Sequence, residues 1–263
     1  MFLKVRDFYQ FLENLAPLRI AEKKDVNGLQ IGSFEARVSG IVLAVNPIFS
    51  VFKEAVEKGC NLIITHHPLF YQPLTFIHQD EPPGNLIYFA IENRLNLLSW
   101  HTPLDKVSFG VSEALARALD LETEDFVIKE EEGYGFGKVV NLKKCVKLEA
   151  LAKKVKKLIK SWVMLVGDPE KEIDKVAICG GSGGFLKDYL KERGINTLIT
   201  SDVKYHQALS ALEEGFNFIL IDHGIAESFV LEVLKEKILT FLKEKGENLK
   251  IYLHKEESPY KIV

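Results

Sequence analysis

The sequence predicts an α/β fold of two related halves with mostly parallel central sheets. Three observations carry that reading: short unbroken apolar runs, amphipathic stretches between them, and a second occurrence of the same arrangement. An unbroken apolar run marks a strand covered on both faces, and intervening helices make such strands parallel.

In chain order the apolar runs are VSGIVLAV at 38–45, NLIIT at 61–65, NLLSW at 96–100, KVAIC at 175–179, NTLIT at 196–200 and NFILI at 217–221. IFSVFKEAVEKG at 48–59, FLKDYLKERG at 185–194 and HQALSALEEG at 206–215 have the polar and apolar faces of helices. The repeat is plainest in GCNLIIT at 59–65 against GINTLIT at 194–200. The strands that follow, LNLLSWHTPLD at 95–105 and NFILIDHGIAE at 217–227, both run into His-x-x-x-carboxylate. Short Leu/Ile strands resemble one another by chance, but chance accounts less well for the matched polar ends.

Between about 121 and 170 the composition changes, with KEEE at 129–132, GYGFGK at 133–138 and the basic stretch KLEALAKKVKKLIKS. Apolar Leu148, Leu151, Ala152, Val155 and Leu158 mark one buried helical stripe, and the lysines form a solvated face. The expected domains are residues 1–125, with the His-His and His-x-x-x-Asp segments, and 126–263, with the Gly-rich turn and His-x-x-x-Glu segment. The C-terminal part is expected to pack back on the first half. Open α/β sheets bind ligands at the carboxyl ends of their strands, so the site is expected in the cleft between the halves.

Composition removes several classes. With 34 basic against 37 acidic residues there is no overall footprint for nucleic acid, and KKVKKLIK lacks the interleaved aromatics that single strands stack on. No run reaches the roughly 18 apolar residues of a spanning helix, and the amino terminus has no basic region leading into an uncharged apolar stretch. A cytoplasmic protein without a membrane partner is expected. Cys60, Cys145 and Cys179 lie in or beside apolar runs and read as buried thiols rather than disulfides.

The chemical signal is the placing of histidine. Of seven, His66, His67, His101 and His223 follow directly on apolar strands. Imidazole and carboxylate together are the usual ligands of zinc, iron, manganese, nickel or cobalt. His66 and His67 can share a site only if their strand ends at Thr65; diverging rings would then favour service to two ions. His223 and Glu227, four apart, share a helix face that Asp222 is placed to cap. Thr102 as a cap and Pro103 at the first helical position would bring His101 and Asp105 together. Six candidates for two ions result: His66, His67, His101, Asp105, His223 and Glu227. His78, His206 and His254 read as ordinary hydrogen-bonded histidines.

GGSGG at 180–184 follows a strand and opens a helix, a context in which amides can meet an anion. Its spacing fits neither the dinucleotide fingerprint nor the P-loop, so a tight turn beside the metal site is the simpler reading. Gly181, Ser182 and Gly183 are the substrate-binding candidates. Cys179 beside it reads as a buried thiol, not a nucleophile.

DVNGLQIG at 25–32, THHPLF at 65–70, WHTPLD at 100–105, CGGSGG at 179–184, TSDVKYHQA at 200–208 and DHGIAE at 222–227 together resemble the NIF-three-like dinuclear metal centre family. Its members are also labelled GTP cyclohydrolase type-two homologues. The resemblance implies two interlaced α/β domains, two divalent ions per chain, and a toroidal homohexamer. It assigns His66, His67, Asp105, His223 and Glu227 as ligands, Glu227 bridging, with His101 a further polar residue facing the site. The chain is of the short form, and departs from the pattern in having Asp222 where glycine commonly precedes the histidine and Asn46 where aspartate is frequent. The implied chemistry is hydrolysis of a small molecule through a metal-bridging hydroxide, of cyclohydrolase or phosphohydrolase type, with His101 and Glu227 as catalytic residues. The alternative is a metal-handling or scaffold protein without turnover.

Overall fold

A computed structural model describes residues 2–130 and 133–262; Glu131 and Glu132 of the acidic run lie outside them. In chain order the elements begin with α1 (Val5–Leu15), β1 (Gly28–Ile31), β2 (Ile41–Ala44), α2 (Phe49–Glu57), β3 (Leu62–Thr65), α3 (Gly84–Glu92), β4 (Asn96–Ser99), α4 (Thr102–Lys106) and α5 (Val111–Ala118). They continue with β5 (Asp125–Lys129), β6 (Gly135–Lys147), α6 (Leu148–Ile159), β7 (Val163–Val166), β8 (Glu172–Ile178), α7 (Lys187–Glu192) and β9 (Thr197–Thr200). The last are α8 (Tyr205–Glu213), β10 (Asn217–Ile221), α9 (His223–Glu244) and β11 (Ile251–Leu253).

The chain divides into two compact units, one of residues up to Leu104 with Leu231–Glu256, the other of Asp105–Val230 with the residues from Glu257 onward. The sheet of the first runs β1-β4-β3-β2-β11. It is parallel except for β1, which pairs antiparallel with β4. All four residues of β2, β3 and β4 are buried, which is why these strands are apolar without alternation. Val42, Ile63 and Leu97 pack with Val51, Phe52 and Ile87 of α2 and α3 in one core. Each such side chain contributes about 1.5–3 kcal/mol by leaving water.

The sheet of the second unit runs β5-β6-β8-β9-β10-β7. Its centre, β8-β9-β10, is parallel, while β5, β6 and β7 are joined antiparallel. Cores cover both faces: Ile178, Ile199 and Ile219 lie in one with Leu115, Leu151 and Val155 of α5 and α6, and Ala177, Leu198 and Leu220 lie in the other with Leu190 and Ala211 of α7 and α8. Within α6 the buried stripe ends on Ile159; Leu158, expected there, is 36% exposed. Four residues past Val155 returns closer to the stripe's centre line than three. Cys60 and Cys179 are buried as expected, but Cys145 is exposed. It lies on the outer half of β6, where the strand runs past its covering layers.

The repeat noted in the sequence has a physical counterpart. Asn96 opens β4, and its amide NH2 and backbone NH both donate to Asn61 O, at 3.0 and 2.8 Å. Asn217 opens β10 and does the same to Asn196 O, at 2.9 and 2.8 Å. Each asparagine lies under a glycine that follows the antiparallel edge strand, Gly32 (φ 105°) after β1 and Gly167 (φ 126°) after β7. A Cβ on either glycine would run into the asparagine amide oxygen. In each unit the same clasp therefore fixes the strand that leads to a candidate histidine.

Gly167→Ala and Gly32→Ala are expected to lower stability by more than the roughly 1–2 kcal/mol that a left-handed backbone alone costs a residue with a Cβ. Gly59→Ala, with φ 66° and nothing within 4 Å of its Cβ, supplies that baseline. Urea denaturation of the three variants checks the order, and equal losses would remove the clasp.

Candidate metal centre

In the first unit β3 ends at Thr65 and the chain bends directly after it. The Thr65 hydroxyl donates to His67 O at 2.7 Å, while the His66 and His67 amides still reach Ala44 O and Val45 O, at 3.1 and 2.8 Å. The imidazoles do not diverge, contrary to the expectation for neighbouring residues. Their centroids are 5.0 Å apart and their planes differ by 37°. The bend breaks the alternation of the strand before it can send the two side chains to opposite faces. His101, from the loop after β4, joins them, with a ligand nitrogen of each lying within 4.8 Å of the others.

Each ring is oriented through Nδ1. His66 Nδ1 is 3.2 Å from Trp100 O, His67 Nδ1 is 2.8 Å from Asn46 Oδ1, and His101 Nδ1 is 2.6 Å from Asp25 Oδ1. Oxygens of these kinds only accept, so Nδ1 carries the proton and Nε2 carries the ligand lone pair. The acceptors are themselves held. Buried Glu256 takes the Val45 amide at 2.6 Å and the Asn46 side-chain amide at 3.2 Å, which settles which end of that amide faces His67. Asp25 receives the Val26 amide, the Asn27 side chain and the Thr102 amide, at 2.9, 2.8 and 3.0 Å. Burial raises the Asp25 carboxyl, but hydrogen bonds from His101, Thr102 and Asn27 outweigh it and hold the group well below the carboxylate range. The Thr102 hydroxyl, expected to cap a helix, instead donates to Asp25 and accepts from the Glu22 amide. The first residue of α4 is thereby drawn into the polar network around His101.

In the second unit β10 delivers Asp222, whose side chain accepts the Ile225 amide at 3.1 Å and caps α9 as predicted. His223 and Glu227 lie on one face of that helix, Nε2 to Oε1 2.9 Å. Asp202, two residues past β9, takes His223 Nδ1 at 2.5 Å. Burial alone would depress the His223 pKa; hydrogen bonds and charge from Glu227 and Asp202 override it and lift it to about 9. Glu227 is 3% exposed and is reached closely by the Gly-rich turn, where a Cβ on Gly181 would lie 2.5 Å from Oε1. Burial first, then the charges of Asp105 and Glu227, push the Cys179 thiol far up, which favours its protonated form.

The structure thus groups His66, His67 and His101 in one unit, and in the other it brings His223 and Glu227 to the Gly-rich turn, with the charge of Asp105 also acting on Cys179. In that turn the Gly183 amide is committed to Thr200 Oγ1 at 2.8 Å, and the Ser182 hydroxyl donates to Asp202 O at 3.3 Å. Gly181 O accepts from the Ser201 amide and the Thr200 hydroxyl, both at 2.9 Å. His254 is hydrogen bonded to Glu54 at 2.6 Å, as an ordinary histidine should be. Asp25, Asn46 and Asp202 were not foreseen as ring-orienting acceptors. Their one signal was a place beside candidate segments, in DVNG, AVN and TSD.

Without metal, the His223 imidazole is expected to titrate with a midpoint near pH 9, and Glu227→Gln is expected to lower it. Histidine chemical shifts followed across pH check both, and a midpoint unmoved by the substitution would separate the two side chains.

Comparison with known proteins agrees throughout the chain. A protein of Clostridium acetobutylicum named GTP cyclohydrolase 1 type 2 homolog is 32% identical over 99% of both chains. NIF3-like protein 1 of Drosophila melanogaster is 31% identical over 89% of this chain and 84% of its own. The crystal structure of a hypothetical protein of Staphylococcus aureus superposes with TM-score 0.94 at 26% identity, covering 100% of each. Reduced HcgD from Methanocaldococcus jannaschii superposes with TM-score 0.79 at 27% identity, covering 96% of this chain and 98% of its own. Among the described residues no helix is long and apolar enough to cross a membrane. A family model described as Duf34/NIF3 (NGG1p interacting factor 3) matches residues 3–259, and the chain belongs to that family.

Proposed function

We propose that His66, His67, Asp105, His223 and Glu227 hold two divalent metal ions, and that the protein is a metal-dependent hydrolase of a small molecule. The observation that carries this is the orientation of the four histidines. Each is held at Nδ1 by an oxygen, the arrangement that presents Nε2 to a cation and raises its basicity. The residue types fit as well: imidazole and carboxylate suit zinc, iron, manganese, nickel or cobalt, and buried Glu227 is a carboxylate that a cation would compensate.

When bound, such a pair of ions supplies a water made acidic near neutral pH and a Lewis acid for a carbonyl, ring carbon or phosphoryl group. The residues of the chain do the rest. Glu227, whose Oε1 lies 2.9 Å from His223 Nε2, is placed to hold a proton during turnover. His101, tied to Asp25, can pass a proton from Nε2 while Asp25 stabilises the imidazolium. Several relatives carry the name GTP cyclohydrolase 1 type 2 homolog, and opening a purine ring is one hydrolysis this set of groups could serve. The family resemblance adds a homohexamer, which sedimentation tests.

His67→Ala and Glu227→Ala are each expected to lower bound metal while the circular dichroism spectrum is kept, and Glu227→Gln to abolish metal-dependent turnover. Elemental analysis of purified variants decides the first point, and full metal content in both would sink the ligand set. Bound metal without turnover across phosphate esters, nucleotides and cyclic amides would favour metal handling instead. Asn46→Ala is expected to weaken metal binding by about 10-fold or more, the range for loss of a ligand's orienting partner, and Asn46→Asp to strengthen it. Competition with a chelator of known affinity measures both.

A further inference from the structure

The second unit has a cavity of about 910 Å³ at the carboxyl ends of β8 and β9, lined by the Gly-rich turn, by Ser201–Lys204 and by Trp162, Phe185 and Tyr260. Its volume is that of a small-molecule site, and its lining is largely apolar with a few polar groups. Three features indicate what would enter.

The aromatic wall is set in advance. Trp162 Nε1 donates to Asp222 Oδ2 at 2.9 Å, and the Ser258 hydroxyl donates to the same oxygen, tying down the segment that carries Tyr260. The Tyr260 ring then meets Trp162 edge-on, centroids 5.8 Å apart. Asp222 thus anchors this wall besides capping α9. The second feature is charge. Lys156 and Lys204 line the cavity, and a neighbouring recess of about 570 Å³ shares Lys156, Trp162 and Tyr260 with it and adds Lys157 and Lys160. Among the described residues Asp202 is the one carboxylate lining either space, and it is engaged with His223. The third is Ser201, which lines the cavity and is 4% exposed, while its Oγ makes no hydrogen bond among the described residues. A buried hydroxyl without a partner is costly, and a ligand's polar atom would relieve it.

We propose that this cavity binds a small aromatic anion, with its ring against Trp162, its anionic group at the lysines and a polar substituent at Ser201 Oγ. Because Asp202 both lines the cavity and holds His223, the bound molecule is the substrate of the proposed metal centre; that last step rests on the metal reading, and the binding site itself does not. Lysines that read as a solvated face in the sequence then have a ligand-binding use.

The test is titration calorimetry of the full chain with 2-naphthyl phosphate, 2-naphthoate and uncharged 2-naphthol, with and without EDTA. At least one anion is expected to bind about 10-fold more tightly than 2-naphthol, the equivalent of one charged hydrogen bond, and whichever anion binds better identifies the group as phosphate or carboxylate. Lys156→Ala with Lys204→Ala is expected to remove that advantage and leave 2-naphthol unchanged. Phe185→Ala, at a half-exposed position, is expected to weaken all three ligands. Anions binding no better than 2-naphthol, no binding at all, or a double-lysine variant that binds as wild type would overturn the proposal. Binding retained in protein whose ligand variants keep full metal would sink the metal reading alone; metal loss in those variants with no ligand bound by wild type would sink the cavity alone.

Discussion

The candidate site depends on the hydrogen bond at Nδ1 of each histidine. A free imidazole offers either nitrogen and turns about two torsions; one bond to an oxygen fixes the tautomer and the ring plane together. The acceptors differ in strength, from a peptide carbonyl at His66, through an amide at His67, to carboxylates at His101 and His223. The Nδ1 bond polarises the ring more strongly along that series, so the four rings are unequal as ligands. His66 is the most passive of them, and His101 and His223 are the most strongly polarised.

The clasp of asparagine and glycine repeats between the units, but the chemistry grafted on it does not. Counted from the clasp, His101 lies five residues after Asn96, whereas the fifth residue after Asn217 is Asp222, with His223 next. Similarly, Thr65 is followed by His66 and His67, while Thr200, at the same place on β9, is followed by Ser201 and Asp202. One unit places two imidazoles at that strand end, and the other places a hydroxyl beside a carboxylate. The shared backbone supplies strand ends at which any polar side chain is well positioned, and the residue types decide what each end does.

What the sequence made legible follows from this. The parallel strands could be read because burial on both faces leaves an unbroken apolar run, a local signal. Strand β6 was missed: only its first half is buried, and the rest, NLKKCVK, has the polarity of a loop. The ligand candidates could be read because histidine directly after an apolar strand is chemically unusual. Their acceptors could not: Asp25 and His101 are 76 residues apart, and a hydrogen bond between distant segments imposes no periodicity on either. Counted from the clasp, the matched His-x-x-x-carboxylate ends are one residue out of register.

Two groups in the second unit report the same local field. The His223 imidazole is buried, which should make its proton easier to lose, yet carboxylates hold that proton to about pH 9. The Cys179 thiol is buried too, and there Asp105 and Glu227 act in the same direction as burial, against the thiolate. A cation is favoured and an anion opposed at neighbouring positions, so the potential is negative by more than desolvation explains. Such a pocket holds a proton when nothing stronger is present. His223 and Glu227 would hold a divalent ion through the same Nε2 lone pair and carboxylate, so the field that raises the imidazole pKa is also the field that would favour a metal there.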